Sequence, residues 1–182
     1  MSSFISAGHN PKGVKVDPGA VANGLKEADI TIEFRDLVIA QCLNLGVKII
    51  QDKDDERLGA YLERIKTGSG SVVLEFHCDA ASSSSATGTT ALIEAEADRL
   101  DKAFAKELVE ATSLILGIKN RGVITERESH RKSLALMREE GIVCLLELFF
   151  LTNKKDIELY NQNKRRLALT IAQIVKKYDD LL

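Results

Sequence analysis

Apolar positions along the chain fall into short continuous runs separated by longer mixed stretches. Phe4 to Ala7 is a run that stops at Gly8-His9-Asn10-Pro11, the pattern of a strand ending in a loop. Asn23-Gly24 closes that loop, and a helix is expected from about Leu25 to Leu45. Val47 to Ile50 predicts a second strand, and Asp55 to Lys66 a charged helix. Thr67-Gly68-Ser69-Gly70 is a turn before a strand over Val72 to His77. Ser82 to Thr90, rich in Ser, Thr and Ala, reads as a surface loop before a strand at Ala91-Leu92-Ile93. A long helix over Ala95 to Leu116, a loop at Lys119-Asn120-Arg121-Gly122 and a short helix over Lys132 to Glu139 follow. The strongest strand, Ile142 to Phe150, leads into a last helix from Asn153, a good N-cap residue, to about Tyr178. Near-continuous apolar strands alternating with helices predict an α/β fold. We expect one domain over residues 1–182, with a mostly parallel twisted sheet of about six strands covered by helices on both faces.

Composition narrows the class. With 45% hydrophobic and 29% charged residues, the 182-residue chain has the balance of a globular protein. Its 25 Lys+Arg against 27 Asp+Glu give a net charge of −2, which argues against a nucleic-acid partner. No apolar run is long enough to span a bilayer, so membrane insertion is not expected; the longest, Ile142 to Leu151, carries Glu147. The N-terminus lacks the basic and apolar regions of a signal peptide, and Cys42, Cys78 and Cys144 form no disulfide framework. Synthesis in a reducing cytoplasm is the expectation. No spare apolar stripe is evident, so a monomer is expected.

Four residues break the pattern. On the first long helix the apolar stripe includes Ile30, Phe34, Leu37, Val38 and Leu45, and Glu27 falls on it while Asp29, Glu33, Arg35 and Asp36 do not. Capping or a contact with the helix dipole would explain a lone glutamate there. His9 follows the first strand, and His77 ends the third, at the strand edge where α/β sheets bind ligands. Glu147 is a lone charge within an apolar strand, where a carboxylate needs a partner or a retained proton. Each alone reads as a satisfied core or cap residue, but the four converge on one sheet edge. Two imidazoles and a carboxylate are the ligand set of a catalytic zinc ion whose fourth position is left to water. A further carboxylate can then take that water's proton. The long spacings, from 9 to 27, 77 and 147, match no local metal motif. His130 lies in a charged, solvated segment and is given no role.

In several separated motifs the chain resembles the zinc-dependent N-acetylmuramoyl-L-alanine amidases of the Amidase_3 family, found in bacterial cell-wall hydrolases and phage endolysins. Ser6-Ala7-Gly8-His9 resembles the opening strand and first zinc histidine, and Asp17-Pro18-Gly19-Ala20 the loop that follows. Lys26-Glu27-Ala28-Asp29 resembles the turn bearing the zinc glutamate, and Phe76-His77-Cys78-Asp79-Ala80 the segment of the second zinc histidine. Asn120-Arg121-Gly122 and the run Leu145 to Asn153 resemble the last two motifs, with Glu147 at the catalytic position. The chain departs from the family at Glu75 (often serine), Asp79 (often asparagine) and Phe149 (often glycine). Glu75 alternates onto the face of His77, where it could back that imidazole or form a salt bridge at the sheet surface. The resemblance implies one zinc ion per chain, on His9, Glu27 and His77, with Glu147 as acid/base. It implies peptidoglycan as substrate, cut between N-acetylmuramic acid and L-alanine. A binding module without turnover, or a zinc amidase cutting a stem-peptide bond, are the alternatives. With no leader evident in the sequence, a phage or prophage lysin that acts on the wall after release is expected; a secreted amidase whose leader was removed is the alternative.

Overall fold

The computed structural model describes residues 2–129 and 132–182. Its elements in chain order are β1 (Ser3–Ala7), β2 (Val21–Ala22), β3 (Leu25–Lys26), α1 (Glu27–Asn44), β4 (Ile49–Gln51), α2 (Leu58–Arg64), β5 (Val72–Asp79), β6 (Thr89–Ile93), α3 (Arg99–Leu116), β7 (Asn120–Thr125), β8 (Ile142–Phe150) and α4 (Lys154–Asp179). Among the described residues six strands form one sheet in the order β4-β1-β5-β8-β6-β7. Every neighbouring pair is parallel except β6 with β8. β2 and β3 form a separate antiparallel hairpin.

The two faces of the sheet are covered unequally. Ile5, Leu74, Phe76, Cys144 and Leu146 point to one side, where they join Phe34, Phe104, Leu108, Tyr160 and Ile171 from α1, α3 and α4 in the larger core. Phe4, Val73, Leu92, Val143 and Leu145 point to the other, where among the described residues they meet Tyr61, Leu62, Ile65, Ile124 and the 134–137 turn. On that thinner side the apolar residues give way, toward the C-terminal ends of the parallel strands, to Ser6, Glu75, His77 and Glu147. The period of two along each strand makes this a polar strip continuing an apolar one.

The predicted fold class holds, and several local expectations are corrected. Asn120–Thr125 is a strand, not a loop; its polar start suits an edge strand that pairs only with β6. The expected helix over Lys132 to Glu139 is a single 3₁₀ turn at Ala135–Arg138. α2 is shorter than expected, and the loop before α1 contains the β2–β3 hairpin. α3 begins later than expected, because Asp98 caps it by accepting from the Leu100 and Asp101 amides at 2.6 and 3.0 Å. His130 lies outside the described residues.

One charged residue set aside as lying off the apolar stripe of α1 is buried. Arg35 is only 1% exposed and forms, with Glu27 and Thr31, an i, i+4, i+8 line of buried polar groups. Its guanidinium donates to Asp52 at 2.8 Å, Asp54 at 2.7 Å and Asp36 at 3.0 and 2.8 Å. Asp52 also accepts from the Ala7 amide at 3.2 Å, so the network ties α1 to the end of β1. Burial pushes the Asp52 carboxyl up to about 6 despite the opposing pull of Arg35. An Arg35→Ala chain should therefore lose about 3–5 kcal/mol of unfolding free energy. Urea unfolding checks this, and a loss under 1 kcal/mol would mean that the guanidinium is dispensable.

Candidate metal centre

The site is built where β1 and β5 end side by side. The Gly8 amide donates to the Phe76 carbonyl at 2.7 Å, which carries the β1–β5 pairing one residue past the strand. The next residue, His9, has φ 72°, a left-handed conformation that costs a non-glycine residue free energy. A two-way backbone bridge between Asn10 and Asp17, both bonds 2.9 Å, closes the loop beyond it. The Asn10 side chain donates to the carbonyls of Lys12 and Lys15 at 2.9 and 2.8 Å and holds the loop from inside. The loop thus aims His9 back at the first turn of α1.

Glu27 opens that turn, with 2% of its surface exposed. Its Oε2 accepts from the Ala20 amide at 2.9 Å, and its Oε1 accepts from the Cys78 amide at 3.0 Å. His77 Nδ1 lies 2.9 Å from Glu27 Oε1, and His77 Nε2 lies 3.1 Å from Glu75 Oε1. The Ser6 hydroxyl donates to Glu75 Oε2 at 2.8 Å. His9 Nδ1 is 3.0 Å from Asp17 Oδ2. Each imidazole therefore has one nitrogen against a backing carboxylate and the other turned toward Glu27. The backing carboxylate at His9, Asp17, was not singled out from the sequence; a charged residue in a loop carries no periodic signal.

Donor atoms of His9, Glu27 and His77 all lie within 4.8 Å of one another, an arrangement that could hold a metal ion. Two features of the pocket fit such an ion. His9 Nε2 is buried with no hydrogen-bond partner, although Glu27 Oε2 is 3.2 Å away. Two glycines leave the rings their space. A Cβ on Gly8 would stand 2.2 Å from the His77 ring, and one on Gly19 would stand 2.5 Å from His9 and 2.6 Å from Glu27 Oε2. A nitrogen, nitrogen, oxygen donor set with carboxylates behind the imidazoles suits zinc.

The electrostatics show how tightly the groups are coupled. Burial alone would raise the Glu27 carboxyl, but the two histidines hold it far below the usual carboxylate range. Burial would likewise lower His77, yet hydrogen bonds to Glu27 and Glu75 push it up to about 10. His9 is also raised; the pull of Glu27 and Asp17 outweighs burial and the repulsion of His77. Glu147 is half-buried and stands directly opposite His77 in the β5–β8 register, about 4.8 Å away across the ladder. It is thus beside the cluster and lines the same groove as His9 and Glu27. The structure brings together all four residues inferred from the sequence, and Glu75 lies under His77.

This α/β sheet carries at its strand ends a two-histidine, one-glutamate cluster that could hold a metal ion, with a carboxylate beside it. The chain belongs to the Amidase_3 family, N-acetylmuramoyl-L-alanine amidases, whose model matches residues 4–177. It is accordingly an amidase that hydrolyses an amide bond of peptidoglycan. Among solved structures it is similar to a Neisseria meningitidis protein assigned as an N-acetylmuramoyl-L-alanine amidase, at 27% identity and TM-score 0.77, over 96% of this chain and 93% of that one. AmiC2 of Nostoc punctiforme shares the fold at 21% identity and TM-score 0.76, over 97% and 96% of the two chains. So does the catalytic domain of the CD27L endolysin that targets Clostridia difficile, at 17% identity and TM-score 0.77, over 96% of each. No curated protein matches the chain. No helix among the described residues is long and apolar enough to cross a membrane.

The raised histidines give a sign for proton linkage. A His77 held above its ordinary 6.5 stabilises the metal-free fold below pH 6.5, and that contribution is lost as pH rises through about 10. At pH 7 an incoming ion must displace that proton. Zinc binding in a weakly buffered solution at pH 7 should release about one proton or more per ion. Gly19→Ala should weaken zinc binding roughly 10–100-fold in a competitive-chelator titration, by pushing His9 and Glu27 apart. Unchanged affinity would show that the loop yields freely.

Proposed function

We propose that His9, Glu27 and His77 hold one zinc ion and that Glu147 is the acid/base for cleavage of the bond between N-acetylmuramic acid and L-alanine. The observation that carries this reading is the convergence of those three side chains, with donor atoms within 4.8 Å, beside the Glu147 carboxylate in strand register. When bound, zinc supplies Lewis acidity, lowering the pKa of water and polarising a carbonyl oxygen.

The chain's own residues do the rest. Asp17 and Glu75 each take one nitrogen of an imidazole, which fixes both rings and leaves His9 Nε2 and His77 Nδ1 as donors. The Ala20 and Cys78 amides hold the Glu27 carboxylate in place. Glu147, half-buried at the groove wall, accepts the proton of the attacking water and returns it to the leaving L-alanine nitrogen. Its strand is bonded on both sides, to β5 and β6, so the carboxylate has a rigid base. The family resemblance favours a lysin that acts on the wall after release; the family match itself supports only action on the wall.

Glu147→Gln should keep about one zinc per chain and lose roughly 10²–10⁴ in kcat on muramoyl peptides. Chelation should abolish the wild-type rate, and added zinc should restore it. A Glu147→Gln protein that keeps both zinc and full rate would defeat the acid/base assignment.

A further inference from the structure

The metal cluster occupies only one end of a groove of about 940 Å³. His9, Glu27 and Glu147 line that end, while Lys119 and Arg121 line the far wall, at the start of β7. The register gives the span. His77 faces Glu147 and Glu147 faces Thr90, while Thr89 beside it faces Asn120, so the cations lie two to three strand spacings from the cluster. At about 4.8 Å per strand that is about 10–14 Å. An extended peptide rising about 3.5 Å per residue crosses it in three or four residues.

Arg121 is held in place by packing and has no ion-pair partner among the described residues. Its aliphatic stem lies against Gly88, where an added Cβ would come within 2.9 Å of Cγ and 3.0 Å of Cδ. Its guanidinium carbon sits 5.0 Å from the centre of the Phe150 ring. The backbone beneath is fixed, because the Thr89 amide donates to the Lys119 carbonyl at 2.9 Å and the Gly122 amide donates to Asn120 Oδ1 at 2.8 Å. Neither Arg121 nor Lys119 forms an ion pair with any described residue. Glu128, also on the groove wall, is engaged instead by the Thr125 amide and hydroxyl at 2.8 and 2.7 Å. An arginine packed on an aromatic face and exposing an unused planar fork matches a carboxylate in shape and charge.

We propose that Arg121, with Lys119 beside it, is the specificity residue that binds a carboxylate of the substrate peptide three or four residues beyond the scissile amide. This rests on the amidase reading above, since it takes the peptide to run from the cluster toward β7. The carboxylate is either an acidic side chain or the peptide's C-terminus; both present the same two oxygens.

The test uses N-acetylmuramoyl-L-alanyl peptides in three forms: both carboxylates free, the side-chain acid amidated, and the C-terminus amidated. Wild-type protein should prefer the free acid over one amidated form by about tenfold or more in kcat/KM, chiefly through KM. The form that loses the preference identifies which carboxylate is read. Arg121→Gln should bring that ratio to about one, and Arg121→Lys should keep part of it because charge remains without the fork. A wild-type enzyme indifferent to amidation would overturn the proposal. So would an Arg121→Gln protein that retains the full preference, or one that loses the same factor on all three peptides. Equilibrium binding of the same peptides to zinc-loaded protein separates the two readings. Absence of turnover with an Arg121-dependent preference in binding would sink the amidase assignment and leave the carboxylate site standing.

Discussion

A carboxylate buried at the first turn of α1 is the constraint from which the rest of the site follows. Glu27 is stable as an anion there only because two imidazoles and two backbone amides face it. Each imidazole in turn requires a second carboxylate, Asp17 or Glu75, and Glu75 requires the Ser6 hydroxyl. The chain therefore carries a buried polar network running from loop to helix to strand. Its members reinforce one another, and loss of one leaves charges without counterparts. The strained φ of His9 and the missing side chains at Gly8 and Gly19 are what it takes to bring the rings so close.

The fold supplies the place for such a network by covering its sheet unevenly. Three helices bury one face in full, while the opposite face has α2 and a single 3₁₀ turn over its apolar half. Where that cover ends, alternate residues of β1, β5 and β8 turn polar, and Glu147 of β8 lines the groove. The Arg35 network performs the matching task behind the site, anchoring α1 to the last residue of β1 through Asp52. Structural and chemical polar groups thus share one helix at four-residue spacing.

Much of this was legible in the sequence, and the physical reason is contrast. Glu147 stands out because eight apolar residues surround it in β8, and His77 because it follows the largely apolar run from Val72 to Phe76. Glu75 was traceable to the face of His77 by the two-residue period of a strand. Asp17, Arg35 and β7 were not traceable in this way. Asp17 sits in a loop with no period, and Arg35 reads like any helix-surface charge until Asp52 is known to face it. The edge strand β7 has no second neighbour to demand an apolar run, so Asn120-Arg121-Gly122 looks like a loop.

The most direct test of the account is the identity of the amino terminus released when purified peptidoglycan is digested. Labelled termini and product masses would be compared with and without chelator. The account predicts L-alanine as the new terminus, an intact lactyl carboxylate left on the sugar, and no release under chelation until zinc is returned. New termini at another stem residue, or release that persists without metal, would contradict it.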